Sequence, residues 1–402
     1  MATPQKIGAS KPALPEELKK VREAALQALL PIKSVDENTI FPENFWVKAG
    51  RTAAGRNLPP YYLVYFLLVD LLNFENLGKS EKVAWSVPID LDGKGYAIEY
   101  RKLGLGIFVP NAKNEEKAAR RIVGLIKKAV AIAEPYYAWR AEQSVQASEL
   151  NVKNNCGWLF DRYQYLRDRS REVFAEKEAR KNERHREVKE NRHGTVTTIT
   201  FPWMEINRNA RWLALSAIEA FFSWTEHVFI HLAILQGRVT TGIAVADLAE
   251  KDWTSKFKQA LDVSNPTTKA HFDKLLMIRR QLRNFVAHGA FGKRGEAFHF
   301  HSGTGAVPVI LTHESSKNRF SLTGEIDLDE ANAIATIEAF IDHLWSGTRE
   351  PARIYLQESG LPVILTMASN GAYAAAMQSI EDMKDFVYSL SRQFDDAANM
   401  DW

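Results

Sequence analysis

The stretch that most constrains this chain is WLALSAIEAFFSWTEHVFIHLAIL, residues 212–235. A helix carrying Leu, Ile, Phe and Trp around so much of its circumference must be enclosed by other elements. Glu219, Glu226, His227 and His231 interrupt the run, whereas a membrane span needs about 20 predominantly apolar residues in a row. It therefore reads as a core helix. PPYYLVYFLLVDLLN at 59–73 is read the same way, being short and carrying Asp70. The N-terminal MATPQKIGASKPALPEELKK has no apolar centre of the kind a secretion signal needs. The expectation is a soluble, cytoplasmic protein with no membrane partner.

Around this helix the pattern predicts a mainly α protein. The long helix, about 207–236, ends near Gly237, and an amphipathic helix follows at 247–262. A third helix covers about 268–290, a β-rich insertion about 295–325, and a fourth helix 329–345. Four helices with short links predict an antiparallel bundle over 205–350 with a β-hairpin insertion. Residues 351–402 add a hairpin-like IYLQESGLPVIL and a last helix at about 373–394, expected to pack on the bundle. Residues 1–150 read as a smaller α+β module. It has a helix after Pro15 with acids in its first turn, an apolar helix at about 61–73, and a helix at about 114–134 ending near Pro135. Between the last two, DLDGKG separates two β-rich runs as a hairpin turn does. No phosphate loop, metal-ligand cluster or nucleophile elbow is visible in this module.

Residues 151–204 form a charged helical connector. Its core, 161–193, holds 11 Lys or Arg against 8 Asp or Glu. Such a run serves either as a solvated helix laced with i,i+4 pairs or as a basic helix tracking a phosphate backbone. Since the whole chain carries a formal charge of only +3, attraction to nucleic acid has to come from local patches. Cys156 is the sole cysteine. That excludes an intramolecular disulfide and a Cys-rich zinc module, and fits a reducing cytosol.

Chemistry concentrates in RQLRNFVAHG, residues 280–289. The spacing Arg-x-x-x-x-His occurs three times, at Arg180–His185, Arg283–His288 and Arg294–His299. Only the middle one encloses three apolar residues, Phe285, Val286 and Ala287, as a half-buried helix requires. Asn284 and His288 are four apart and share a helix face, so the amide can orient the imidazole. Arg283 and His288 lie about 140° apart around an ideal helix, so both reach one phosphate only through the length of the Arg side chain or a distorted helix end near Gly289. On the long helix, Ser216, Glu219, Ser223 and His227 fall on one polar stripe. It reads either as a solvent-facing side or as the partner surface for Arg283, with Glu219 and Ser223 in supporting roles.

The Arg283-Asn284-x-x-x-His288 pattern late in the third helix of a four-helix unit resembles the HEPN superfamily (higher eukaryotes and prokaryotes nucleotide-binding). The resemblance covers about 205–350. It implies a homodimer through this domain with a composite site. It also implies metal-independent endoribonuclease activity on single-stranded or tRNA-like RNA, of the kind found in toxins and abortive-infection proteins of antiviral defence. In that chemistry the ribose 2′-OH attacks phosphorus, His288 moves a proton and Arg283 steadies the phosphoryl oxygens. No cofactor is implied. By analogy the N-terminal module would sense a trigger or hold a regulatory partner. The alternative from another class is a non-catalytic HEPN scaffold that binds nucleic acid, a nucleotide or a protein. Lys293 and Arg294, in GAFGKRG just after the motif, read as phosphate contacts or as a plain surface turn.

No metal is expected. His299 and His301 would share a strand face but lack a third ligand at a recognisable spacing. His227 and His231 have ligand-compatible i,i+4 spacing, but are expected to pack or to meet Glu226 and Glu219.

Overall fold

The computed structural model describes residues 14–192, 194–282, 298–303, 305–309 and 329–400. They fall into two compact units, Met1–Val145 with Ser389–Trp402, and Gln146–Tyr388. The architecture is mainly α-helical with β insertions.

In the first unit, α1 (Glu16–Leu29) leads into β1 (Ile32–Ser34). The short α2 (Phe45–Lys48) and β2 (Gly50–Arg51) follow, then a 3-10 turn at Ala54–Asn57. Next, α3 (Tyr61–Tyr65) widens into a π-helical turn at Phe66–Leu71. Strands β3 (Val83–Leu91), β4 (Lys94–Arg101) and β5 (Gly104–Val109) precede α4 (Ala112–Ile132) and α5 (Glu134–Gln146). The five strands form one antiparallel sheet in the order β1-β3-β4-β5-β2. The expected turn is where the sequence put it. Asp92 and Gly93 both adopt positive φ between Leu91 and Lys94, which are paired across the ladder. Apolar faces of α1, the π turn and α4 close over this sheet through Leu29, Leu67, Leu68, Val87, Ile98, Ile107, Ile122 and Ile126, all fully buried.

The second unit opens with β6 (Asn151–Val152) and α6 (Cys156–Arg180). The charged run is a helix only as far as Arg180, with ion pairs of its own, Arg169–Glu172 and Arg180–Glu176 among them; the rest of the expected helical connector is strand from His185. The apolar side of α6 is packed all the same, with Tyr163 and Ser170 fully buried. A hairpin of β7 (His185–Asn191) and β8 (Gly194–Thr200) joins it to α7 (Pro202–Leu235), the long core helix. Beyond α7 come α8 (Gly242–Glu250), α9 (Trp253–Ala260) and α10 (Pro266–Leu282). The paired strands β9 (Phe298–Ser302) and β10 (Gly305–Val309) precede α11 (Glu330–Leu344). The rest is α12 (Glu350–Arg353) with a π turn at Ile354–Glu358, β11 (Val363–Ile364), α13 (Leu365–Ser369), α14 (Ala372–Ala376) and the start of α15 (Ile380–Asn399), whose residues from Ser389 on belong to the first unit.

The apolar middle of α7 is enclosed, although Trp212 near its start stays exposed. Phe221, Trp224, Val228, Phe229 and Leu232 are fully buried, and Phe229 meets Trp253, Phe257 and Phe340 from α9 and α11. Even its polar Thr225 is satisfied, accepting the Trp253 indole N–H at 3.0 Å. No described helix is long and apolar enough to cross a membrane.

Two local expectations are corrected. The single helix expected at 247–262 is two, because the Asp252 side chain accepts the Ser255 N–H at 2.8 Å and starts a new helix at Trp253. IYLQESGLPVIL is no hairpin. Its first half is helical, with Ile354, Tyr355 and Leu356 all buried, and its second half gives β11, which pairs with β6.

Candidate metal centre

Lys153 to Cys156 are held in place from several sides. β6 pairs with β11, and the Leu365 N–H donates to the Leu150 carbonyl at 3.0 Å. The Asn154 amide donates to the Tyr355 and Leu356 carbonyls and, through Oδ1, accepts the Cys156 N–H at 2.9 Å. Cys156 is thereby fixed as the first residue of α6, with its side chain fully buried.

Two histidines one turn apart on α7 face this corner, their rings 4.1 Å apart between centroids. Nε2 of His227 accepts the Asn155 N–H at 2.9 Å. In His231, Nδ1 lies 2.8 Å from the His227 carbonyl and Nε2 lies 3.1 Å from the Lys153 carbonyl. A neutral imidazole has one N–H, so only one of these carbonyls can be served by it. The other faces a lone pair. A second proton would serve both, but burial holds the His231 pKa down against the pull of the two carbonyls. The His227 pKa is pushed down to about 3 by burial and then by its neighbour His231. Burial likewise pushes the Cys156 thiol up. The corner is thus a neutral, largely dry pocket of donor atoms, with His231 only 1% exposed.

Cys156, His227 and His231 offer ligand atoms that all lie within 4.8 Å of one another. Donors around one zinc ion sit about 3.3–3.8 Å apart, given Zn–S near 2.3 Å and Zn–N near 2.0–2.1 Å. Side-chain adjustments of about 1 Å would close all three on a common centre. A thiolate with two imidazoles is a donor set suited to zinc or copper and poorly suited to magnesium or calcium.

This cluster overturns two expectations. The reading of a site without metal, and with it a strictly metal-independent ribonuclease, does not hold against a Cys/His/His group close enough to chelate an ion. Nor do His227 and His231 meet the acids on their own helix. Glu226 is taken by Lys256 and Arg279, and Glu219 faces solvent.

The other predicted residues fare differently. Arg283, Asn284, His288, Lys293 and Arg294 lie outside the described residues. Glu219 and Ser223 are exposed on α7, while Ser216 and His227 are half-buried. Among the described residues Glu219 and Ser223 face solvent, and His227 turns from the stripe to the Asn155 N–H. Of the other histidines weighed for metal, His299 and His301 sit on β9. Sequence reasoning missed Cys156. The i,i+4 histidines were visible, but their third partner comes from a helix far away in the chain.

Comparison with protein-family models, with curated proteins and with solved structures gave no match. The HEPN resemblance and the RNA partner it implies rest on the sequence pattern alone.

Proposed function

We propose that this chain is a metal-binding protein in which Cys156, His227 and His231 hold one divalent transition ion of the zinc class, in a structural role. The observation that carries this reading is the convergence of three soft donors, from the start of α6 and from α7, within 4.8 Å. His231 supplies the arrangement usual in metal-bound histidines. With Nδ1–H donated to the His227 carbonyl, Nε2 is left with its lone pair free for an ion. The Lys153 carbonyl, 3.1 Å from that nitrogen, is then within reach as a fourth ligand and no longer faces a bare lone pair. His227 would exchange the Asn155 N–H for the metal, and Cys156 would give up its thiol proton.

Closure of the site favours structure over hydrolysis. A catalytic zinc keeps a position open to water and substrate, whereas Cys156 and His231 are 0% and 1% exposed. An ion here would fasten the turn before α6 to the middle of α7.

The test is elemental analysis of the purified full chain, with thermal unfolding in the presence of zinc or a chelator. About one zinc per chain, lost in Cys156→Ala and in His231→Ala, is the expected result. Cobalt substitution should give a thiolate-to-metal charge-transfer band that Cys156→Ala abolishes. A chain that carries no metal and does not shift its unfolding temperature with zinc or copper would reduce the cluster to a hydrogen-bonded packing corner and sink the reading.

A further inference from the structure

The hairpin of β7 and β8 stands at one end of the α6–α7 pair. Every side chain described on it is exposed, from His185 to Glu190 and from Gly194 to Thr200. An isolated two-stranded hairpin is marginal in water, and its free edges invite further strands. Val188, Val196 and Ile199 remain 52%, 48% and 52% exposed.

The sequence of β7 says what fits its edge. Arg186-Glu187-Val188-Lys189-Glu190 is charge-complementary to itself when read backwards. We propose that β7 pairs antiparallel with β7 of a second copy of this chain about a two-fold axis through Val188, giving a four-stranded sheet in the order β8-β7-β7-β8. In that register Val188 stands opposite the partner's Val188, Glu187 opposite the partner's Lys189, and Arg186 opposite the partner's Glu190. Each pair appears twice by symmetry, so four opposite-charge pairs flank an apolar centre. Strand alternation agrees with this. Arg186, Val188 and Glu190 share one face and Glu187 and Lys189 the other, and a two-fold axis perpendicular to the sheet keeps each face with its like. The cross-strand ion pairs would replace the local Glu187–Lys189 contact of the single chain, 2.9 Å long.

A second copy fits better than the other occupants of an open edge. The five-residue core has two cations and two anions, so it offers no net attraction to a phosphate backbone. β8 carries no charge at all along GTVTTIT, so the discrimination lies on the β7 edge. A shift of register by two residues sets like charges opposite, Glu187 against Glu187 or Lys189 against Lys189, which disfavours alternatives.

The test is sedimentation equilibrium of the full chain at moderate salt, with variants at exposed positions that leave the core untouched. Wild type should dimerise. Glu187→Lys, which sets two lysines against each other, should weaken the dimer at least tenfold, and the double exchange Glu187→Lys with Lys189→Glu should restore it. Val188→Cys should form an intermolecular disulfide under mild oxidation, with Cys156 buried and out of reach, while Val196→Cys on β8 should not. A chain that stays monomeric at about 100 μM overturns the proposal. So does a dimer indifferent to Glu187→Lys, or a monomer whose hairpin responds only to added RNA. These outcomes do not depend on whether Cys156, His227 and His231 bind metal.

Discussion

The Lys256 ammonium lies 3.2 Å from a carboxylate oxygen of Glu226, and that lysine side chain is only 7% exposed. Arg279 reaches the other oxygen of the same carboxylate at 3.3 Å. The carboxylate is itself 37% exposed, so solvent screens part of the attraction, and the arrangement matters most through what a buried cation would lose without it. Glu226→Gln should destabilise the second unit by about 1–2 kcal/mol, since Lys256 keeps its charge and loses its counterion. Lys256→Met, which removes the cation and keeps the bulk, should stay within about 1 kcal/mol of wild type. Urea unfolding of both variants checks the asymmetry. Equal losses would mean that the pair itself, and not the stranded cation, carries the energy.

Asp252 starts α9 by accepting the Ser255 N–H at 2.8 Å, and the Thr254 hydroxyl donates to it as well. Hydrogen bonding from Ser255, by its side chain first and then its N–H, and from Thr254 holds the Asp252 pKa down at about 2, below the usual aspartate value near 3.9. A carboxyl depressed in the folded state stabilises fully above its unfolded value and loses that contribution as pH falls through its folded one. Asp252→Ala should therefore cost about 1 kcal/mol at neutral pH. The gap from wild type should narrow between about pH 4 and pH 2. Thermal unfolding over that range measures it, and a gap independent of pH would remove the carboxylate from the account.

That capping aspartate also shows where the sequence could be read and where it could not. Asp252, Thr254 and Ser255 form a start signal present in the residues, yet the apolar spacing on both sides runs through it and suggested one helix. At Asp92–Gly93 the turn chemistry and the alternation agree, and the hairpin was legible. For Ile354–Leu356 the following Gly360 and Pro362 imitate a hairpin, but burial of three consecutive residues favours a helical turn packed on several sides. The candidate centre was half legible for a related reason. Helical periodicity puts His227 beside His231, but no local rule brings Cys156 to them. That contact needs the antiparallel packing of α6 on α7 and the pinning of Asn154 by the Tyr355 and Leu356 carbonyls.

In the first unit, two glycines of the same composition have opposite roles. A Cβ on Gly55 would stand 2.5 Å from the Ile107 backbone nitrogen and 3.0 Å from the Thr52 hydroxyl. That hydroxyl already accepts the Gly55 N–H at 3.1 Å and donates to the Ile107 carbonyl at 3.2 Å. Backbone cannot step aside as a side chain can, so Gly55→Ala should cost about 1–3 kcal/mol. Gly124 lies inside α4 with nothing within 4 Å of its would-be Cβ. Gly124→Ala should stabilise by about 0.5–1 kcal/mol through helix propensity. Chemical denaturation of the two variants should move in opposite directions, and a loss at Gly124 would mean that its face of α4 is covered.

His231 separates packing from metal binding. Replacing it by alanine removes the one N–H available to the Lys153 and His227 carbonyls and leaves a gap where a buried ring stood, so His231→Ala should cost about 2–4 kcal/mol even without metal. His231→Gln retains a donor and much of the volume, and should recover a large part of that loss. It would not recover the response to zinc, because an amide is a poor ligand beside a thiolate. Wild type should gain thermal stability with zinc in proportion to the logarithm of its free concentration above the dissociation constant. Acidification should erode that gain, because burial favours the protonated Cys156 thiol and the metal must displace that proton. If His231→Gln kept the full zinc response, the ion would be held elsewhere, and Cys156 and His227 would share only the hydrogen bonds that the turn at Asn155 already gives them.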